Sequence, residues 1–189
     1  HLDTLSKGKG VYKQLAWDEE GIQAAFLADR DTAKSKQRFF ALYYWKPGSD
    51  SAALLADTSM VNFPRSWLVS EHRQPSFSRN GKRLYFGTAP IPLPEDTTMN
   101  DEVTPKLDIW SWEDEFIQSQ QVHDLAREQK RSYLAVLDPA FRELPQLANL
   151  QIPDVTVGDE GNASMAIGLA DVPYRKLISW EDHPFNDVY

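Results

Sequence analysis

The sequence predicts an all-β chain made of small antiparallel sheets, and three observations carry that prediction. The first is a unit that recurs three times: a turn glycine, a short apolar strand, then a loop leading to a strand with an aromatic end. Its copies are residues 17–29 (WDEEGIQAAFLAD) with 42–45, residues 77–90 (FSRNGKRLYFGTAP) with 107–110, and residues 158–171 (GDEGNASMAIGLAD) with 187–189. The turn glycines Gly21, Gly81 and Gly161 are 60 and 80 residues apart, and they precede Trp45, Trp110 and Tyr189 by 24, 29 and 28 residues. The second observation is composition: six Trp, seven Tyr and nine Phe punctuated by 12 Pro and 9 Gly suit short strands joined by loops better than a helical bundle. The third is physical. A small twisted sheet has two faces and cannot bury both alone, so repeated sheets must cover one another. The predicted fold is therefore a partial β-propeller built from about two to three four-stranded antiparallel blades, where a closed ring has about four to eight. The chain reads as an open piece of a propeller, or as part of one whose remaining blades are on another chain.

Taken in order, residues 11–16 start the first blade, and Asp18–Glu19–Glu20–Gly21 turns it into the strand IQAAFLAD. Residues 29–38 are charged and predict a solvated loop. Residues 39–48 (FFALYYWKPG) read as a strand closed by a Pro/Gly turn, and residues 51–58 as the edge strand of one four-stranded sheet. The second blade opens with WLVSEHRQPSFS. Arg79, Asn80 and Gly81 form its turn, Asn-Gly being favourable where φ must be positive in a tight hairpin. In residues 82–87, Leu84 and Phe86 fall on one face and Arg83 and Tyr85 on the other. The proline-rich residues 90–105 predict no regular structure. LDIWSWEDEFI is expected to resume the sheet. Residues 122–131 carry a narrow apolar stripe of Val122, Leu125 and Ala126, which fits either one short helix or an extended polar connection. SYLAVLDPAFRELPQLA predicts a hairpin turning at Asp138 and Pro139. The expected partition is residues 1–60 for the first blade, 61–150 for a second with a long Pro-rich insertion and an extra hairpin, and 151–189 for the start of a further blade, cut short.

Lys plus Arg number 20 against 28 Asp plus Glu, a formal net charge of -8. That field repels a polyanion and no basic stripe overcomes it, so nucleic acid is not an expected partner. No run approaches the length of a membrane-spanning helix. There are no cysteines, which removes disulfides, thiolate metal sites and cysteine nucleophiles. With no initiating Met and no signal peptide, the chain reads as a processed or excised piece of something longer.

No catalytic, cofactor-binding or metal residue is assigned. A nucleophilic triad needs Ser or Thr, a base His and a carboxylate converging in space. His1, His72, His123 and His183 stand in contexts (SEHRQ, QQVHD, EDHPF) that fit surface or loop roles. Their separations give no zinc-binding pattern such as HExxH. Asp29 and Asp31, with Asp18, Glu19 and Glu20 nearby, offer oxygen ligands for a hard cation, but the glycine and terminal glutamate of an EF-hand loop are absent, and a solvated loop is the simpler account. Glu113, Asp114 and Glu115, with Asp159 and Glu160, are the acids a sugar-cleaving propeller would need; loop-rim acids are the plainer reading. Trp17, Trp45, Trp67, Trp110, Trp112 and Trp180 predict packing between blades, with Trp112 and Trp180 the candidates for a ligand surface. Asn162 heads a glycosylation sequon but reads as a turn residue. Pro90, Pro92 and Pro94 read as a rim loop rather than a docking polyproline segment.

The strings SFSRNGKRLYFGTAP, LDIWSWEDEFIQSQQ, SYLAVLD and GDEGNASMAIGLAD, with PYRKLISWED after the last, resemble the N-terminal propeller of large exported prolyl-oligopeptidase-type serine peptidases of Bacteroides-like bacteria. The first string is also similar to the generic blade of TolB-like and peptidase propellers. The resemblance spans about residues 10–189 and implies a periplasmic or extracellular location. It also implies a C-terminal α/β-hydrolase domain with a Ser, Asp, His triad, whose substrate access the propeller restricts and shapes. No GxSxG elbow occurs in this chain, so none of that triad is placed here. The expected function is a non-catalytic propeller fragment of such a peptidase, inactive by itself, with no cofactor. Its expected partners are that missing hydrolase domain, a peptide substrate at the propeller rim, and a second copy through an uncovered blade face. The alternative is a binding module or scaffold of an exported non-peptidase, or a glycan-active propeller.

Overall fold

The computed structural model describes residues 4–31, 37–60, 62–93, 109, 111–140, 144–181 and 183–189. Among them the chain forms three antiparallel sheets that follow one another along the sequence. The first is a meander of β1 (Val11–Trp17), β2 (Ala24–Asp29), β3 (Ala41–Trp45) and β4 (Ala53–Ala56), in that spatial order. This is the four-stranded sheet that the apolar runs and turn residues of 11–58 predict.

In the second sheet, β5 (Trp67–Val69) and β6 (Ser76–Phe77) pair with the same edge of β7 (Leu84–Pro90), so they act as one inner strand interrupted at residues 70–75. The other edge of β7 takes β8 (Tyr133–Leu137). The third sheet has three strands, β9 (Asp154–Val157), β10 (Ala166–Ala170) and β11 (Asp187–Val188), in the order β11-β10-β9. The architecture is all-β with several blade-like sheets, and the described residues form no closed ring.

The sequence reading needs correction in the second sheet and beyond. LDIWSWEDEFI, expected to resume it, is described only at residue 109 and from 111 onward. Residues 107, 108 and 110 lie outside the described residues, and 111–117 form turns and bends. The strand on the other edge of β7 is β8. Trp110 lies outside the described residues, whereas Tyr189 pairs with the second strand of its sheet, exchanging backbone bonds of 2.9 Å with Gly168. The helix α1 (Gln118–Glu128) starts four residues before the predicted stripe and buries none of its residues; Val122 and Leu125 face solvent. Exposed i,i+3 pairs, Asp124 with Arg127 and Glu128 with Arg131, lie along its final turns. The predicted hairpin at Asp138 keeps only its first arm as a strand. Its return is the bridge Ala135–Gln146 and the bonds of Leu147 and Ala148 N–H to Leu134 C=O. Blades of four full strands are thus realised in the first sheet and not in the third. Of the proline-rich segment, Ile91–Leu93 has no regular structure and Pro94 onward is outside the described residues, as are His1 and Trp110.

The sheets stack face to face, and the alternation along β7 divides the core. Leu84 and Phe86 point back to Ala25, Leu27 and Leu42 of the first sheet, forming one cluster with Val69, Ala135 and Leu137. Tyr85 points forward into a second cluster with Tyr133, Leu134 and Val136, against which Val155 and Val157 of the third sheet pack. A strand whose successive side chains enter opposite cores needs apolar residues on both faces. This is why β7 and β8 are buried throughout most of their length while β9 alternates. No helix among the described residues is long and apolar enough to cross a membrane.

Candidate functional site

The three recurring turns do the same thing locally and then lock to one another. Gly21, Gly81 and Gly161 have φ of 68°, 68° and 83°, the left-handed region that a Cβ disfavours. Each glycine N–H donates to the carbonyl three residues before it, from Gly21 to Asp18 at 3.1 Å, from Gly81 to Ser78 at 2.8 Å and from Gly161 to Gly158 at 3.0 Å. In the first copy the Asp18 carboxylate accepts the N–H groups of Ile22 and Gln23 at 2.8 Å. In the second the Ser78 hydroxyl accepts from Arg83 N–H at 3.0 Å. Short polar side chains at this position satisfy the turn backbone, which is the reason Asp and Ser recur there.

The residue two beyond the turn glycine ties the first sheet to the second and the second to the third. Gln23 Nε2 donates to Gly81 C=O at 3.3 Å, and Arg83 Nη1 donates to Gly161 C=O at 3.3 Å. The second joint is reinforced by Arg83 to Ala163 C=O, by Tyr85 Oη to Gly161 C=O at 2.8 Å, by Arg79 N–H to Glu160 C=O at 3.0 Å and by Asn80 N–H to Asn162 Oδ1 at 3.1 Å. These bonds make a polar seam along one edge of the stack. Asn162 spends its side-chain oxygen on the seam, accepting from the neighbouring turn rather than from its own backbone as the turn reading expects. Tyr44, which donates to Gln23 Oε1 at 2.6 Å, backs the first joint; burial, then the charges of Asp18 and Asp138, hold its phenol above the usual tyrosine range.

The seam borders a cleft of about 420 Å³ between the inner strands of the first two sheets. Leu15, Ala16, Trp17, Pro75 and Phe77 supply its apolar surface, Asp18 and Glu19 come from the first turn, and Ser78 and Arg79 from the second. Both inner strands are irregular here. β1 bulges between Lys13 and Ala16 with Gln14 at φ 57°, and the 70–75 interruption faces it. Gln14 Nε2 donates to Glu71 C=O at 2.9 Å, Gln74 Nε2 donates to Leu15 C=O at 3.1 Å, and Lys13 pairs with Glu71.

A second, smaller cleft of about 130 Å³ lies beside the third sheet and includes Asp154, Asp171, Tyr174, Arg175, His183 and Phe185. Arg175 dominates it. Its guanidinium bonds Glu115 at 2.8 Å and Asp171 at 3.1 Å and lies over the Phe116 ring at 5.6 Å. Burial pulls this guanidinium down, but the hydrogen bond it donates to Glu115 and the charge of Asp171 outweigh it and hold it above its ordinary range. Tyr174 Oη donates to Asp187 Oδ1 at 2.7 Å.

The acids weighed for chemistry are occupied separately. Glu115 serves Arg175, Glu160 pairs with Arg79 at 3.1 Å, and Asp114 accepts Ser111 N–H at 2.9 Å. Asp18 holds its own turn, while Asp29 accepts Asp31 N–H at 3.0 Å and pairs with Arg38 at 3.1 Å. Among the described residues no three His, Cys, Asp or Glu side chains gather as metal ligands. His123 Nδ1 meets Asp124 at 3.0 Å on the exposed helix, His72 is exposed on the 70–75 interruption, and His183 lines the smaller cleft. No Ser–His–carboxylate chain of hydrogen bonds occurs among the described residues.

The tryptophans divide. Trp17 and Trp45 meet edge to face at 6.4 Å, and Trp67 meets Tyr133 at 5.0 Å, joining both clusters. Trp112 and Trp180 are almost fully exposed, so among the described tryptophans only Trp67 joins a cluster between sheets, which corrects the reading of these residues as inter-blade packing. The residues that sequence reasoning missed are Gln23, Arg83, Tyr85 and Arg175. A signal for two of them was present, since Gln23 and Arg83 occupy the same place after their turn glycines.

The sequence matches no protein-family model, and it is similar to no curated protein. Among solved structures the chain is similar to TolB from Acinetobacter baumannii, with 14% identity and a TM-score of 0.40. The match covers 95% of this chain and 30% of the TolB chain, so the chain spans less than a third of that structure's length.

Proposed function

We propose that these residues are the non-catalytic propeller portion of an exported prolyl-oligopeptidase-type serine peptidase, restricting and shaping access to a hydrolase domain that lies outside residues 1–189. The observation that carries this reading is the seam. Turns with the same left-handed glycine stand in consecutive sheets, tied by the same position of the repeat, Gln23 to Gly81 and Arg83 to Gly161. Such an arrangement builds a stiff framework. It does not build a reaction centre, because the groups that titrate along it, Asp18, Arg79 and Glu160, are engaged in holding turns together. The strings shared with peptidase propellers, FSRNGKRLYF foremost, support the parent class and its periplasmic or extracellular location.

In this reading the cleft between β1 and β6 is where a passing peptide rests. Its apolar surface would take a side chain, and Gln74 with the bulged strand would present backbone-type donors and acceptors to the peptide. The test is to read the coding sequence past the codon for Tyr189 and to treat the complete product with a fluorophosphonate probe. One labelled serine is expected, beyond residue 189 and within a GxSxG turn. Labelling inside residues 1–189, or a complete product that takes no label and cleaves no prolyl peptide, overturns the proposal and favours a binding module. With the parent activity in hand, Arg83→Ala should raise turnover of long peptides relative to short ones, because a loosened seam widens the entrance. An unchanged length preference would remove the access role.

A further inference from the structure

The turn of the second sheet carries a reactivity that its two counterparts lack. Of the nine glycines in the chain, Gly81 alone follows an asparagine, and none follows an aspartate. Asn-Gly is the pair that a tight hairpin turn favours. It is also the pair in which the nitrogen of the following residue, with no side chain beside it, reaches the asparagine side chain most easily, and asparagine is among the thermolabile residues for that reason. The equivalent positions before Gly21 and Gly161 are Glu20 and Glu160, carboxylates with no amide to lose. Asn80 is exposed, so water has access to it.

In the closed turn both reacting groups are engaged. The Gly81 N–H donates to Ser78 C=O at 2.8 Å. The Asn80 side-chain oxygen accepts from the Ser78 hydroxyl at 2.8 Å and from Lys82 N–H at 3.0 Å, which pins the amide over its own turn. Asn80 is also held from outside, because its N–H donates to Asn162 Oδ1 at 3.1 Å on the turn of the third sheet, beside the 3.0 Å bond from Arg79 N–H to Glu160 C=O. Ring closure between the Gly81 nitrogen and Asn80 Cγ needs that nitrogen free of its acceptor and the Asn80 backbone rotated, so these contacts must open first. Ser78 is the pivot of the closed form. It is 1% exposed, and its hydroxyl oxygen, besides serving Asn80, accepts Arg83 N–H at 3.0 Å.

We propose that Asn80–Gly81 is a self-modification site guarded by the joint between the second and third sheets: opening of the joint lets Asn80 cyclise, and the isoaspartate that follows keeps the joint from closing again. The Gly81 nitrogen gives up its proton and attacks Asn80 Cγ. The new N–Cγ bond closes a succinimide, the Cγ–Nδ2 bond breaks, and the side-chain nitrogen leaves as ammonia with that proton. Water then cleaves one of the two ring bonds to nitrogen. Cleavage at Cγ gives an ordinary aspartate, and cleavage at the Asn80 main-chain carbonyl gives isoaspartate, with the chain now running through Cβ and Cγ. No atom changes oxidation state and water is the one co-reactant. Aspartate keeps the main-chain length and the oxygens that accept from Ser78 and Lys82, so it spares the turn. Isoaspartate inserts a carbon between Ser78 and Gly81, which displaces Gly81 from Ser78 C=O and moves Arg83 away from the Gly161 and Ala163 carbonyls that it ties to the second sheet.

The experiment incubates the protein at mildly alkaline pH and digests it after glutamate, which releases residues 72–95 as one peptide. Mass spectrometry reads the exchange of amide for carboxylate at Asn80, and methylation by an isoaspartyl methyltransferase reads the product. Conversion is expected in urea, and at least about tenfold more slowly in the folded protein, since opening costs several hydrogen bonds. Ser78→Ala removes two of those bonds and should speed the folded reaction about tenfold; Asn162→Ala removes only the contact from the third sheet and should speed it about threefold. Asn162 lies on the surface of the joint, so its variant carries the test if circular dichroism shows that Ser78→Ala unfolds. Hydrogen exchange of the Ala166–Ala170 amides should rise about tenfold in the isoaspartate form and stay unchanged in Asn80→Asp. No conversion in urea, equal rates in urea and in the folded protein, rates indifferent to the folded variants, or an isoaspartate form whose Ala166–Ala170 amides stay protected overturns the proposal.

Discussion

The same substitution at the three turn glycines gives a graded test of how the sheets are joined. Gly21→Ala places a Cβ in open space, so its cost is the left-handed backbone alone, about 1 kcal/mol. At Gly81 the new Cβ would stand 2.7 Å from Gln23 Nε2, the end of a flexible side chain that swings away and gives up its tie, which adds a fraction of a kilocalorie to about 1 kcal/mol. At Gly161 it would meet Tyr85 Cε2 at 2.9 Å and the Cα and Cβ of Ser78 at 3.2 Å, atoms of a buried ring and of a neighbouring backbone. Overpacking of that kind costs about 1–3 kcal/mol beyond the backbone term. Gly161→Ala should therefore destabilise by about 3 kcal/mol, Gly21→Ala by about 1 kcal/mol, with Gly81→Ala between them. Urea unfolding followed by tryptophan fluorescence reads the series as falling midpoints at constant slope. For a chain of this length the corresponding melting-temperature drops are about 2–4 °C per kcal/mol. If Gly161→Ala costs no more than Gly21→Ala, the third turn is not pressed against the second sheet and the seam argument fails.

Three further outcomes follow from the same contacts. Tyr85→Phe removes the 2.8 Å bond to Gly161 C=O while keeping the ring, and should cost about 0.5–1.5 kcal/mol in urea unfolding; no change would mean that water replaces the phenol freely. Arg83→Ala should raise hydrogen exchange of the Ala166–Ala170 amides about tenfold and leave those of Ala24–Asp29 unchanged, because only the joint between the second and third sheets loosens; uniform acceleration would refute a local seam. Glu128 is held below its ordinary pKa of 4.5 first by the hydrogen bond from Arg131, with the charges of Arg131 and Arg127 adding to it against a burial penalty. Its folded pKa lies below its unfolded one, so its contribution is present at neutral pH and is lost as pH falls from 4.5 through the folded value. Glu128→Gln should accordingly flatten helix stability on the acid side of that window, by under about 1 kcal/mol for so exposed a pair. Helicity followed by circular dichroism against pH checks it.

The first sheet was legible because each of its signals is local. Asp18 to Gly21 is a turn with its own cap, β2 is a continuous apolar run, and Lys46 to Gly48 closes β3 with a turn of its own. The second sheet was legible up to β7 and then lost, for a physical reason. Its third strand, Tyr133–Leu137, is buried from end to end and so shows neither alternation nor an aromatic at its C-terminal end, and it arrives 52 residues after Gly81 rather than after the two dozen or so that the first copy leads one to expect. LDIWSW, nearer and aromatic, took its place in the reading. The smaller cleft was invisible for a related reason. Arg175, Glu115 and Asp171 are separated by up to 60 residues, and nothing in their immediate surroundings says that one guanidinium will collect both carboxylates.

The third turn shows how the copies of a repeat diverge once a neighbour is available. Where the first two turns carry Asp18 and Ser78 to satisfy their own backbone, the third has Gly158, which has no side chain to do so. Asp159 and Glu160 then adopt φ of 51° and 50°, a conformation that costs an ordinary residue about 1–2 kcal/mol each. What holds it is external. Arg79 N–H donates to Glu160 C=O, Asn80 N–H reaches Asn162, and Arg83 and Tyr85 converge on Gly161 C=O. The turn is shaped by the second sheet rather than by its own sequence, so stability passes along the stack in one direction, from the self-sufficient first sheet to the dependent third.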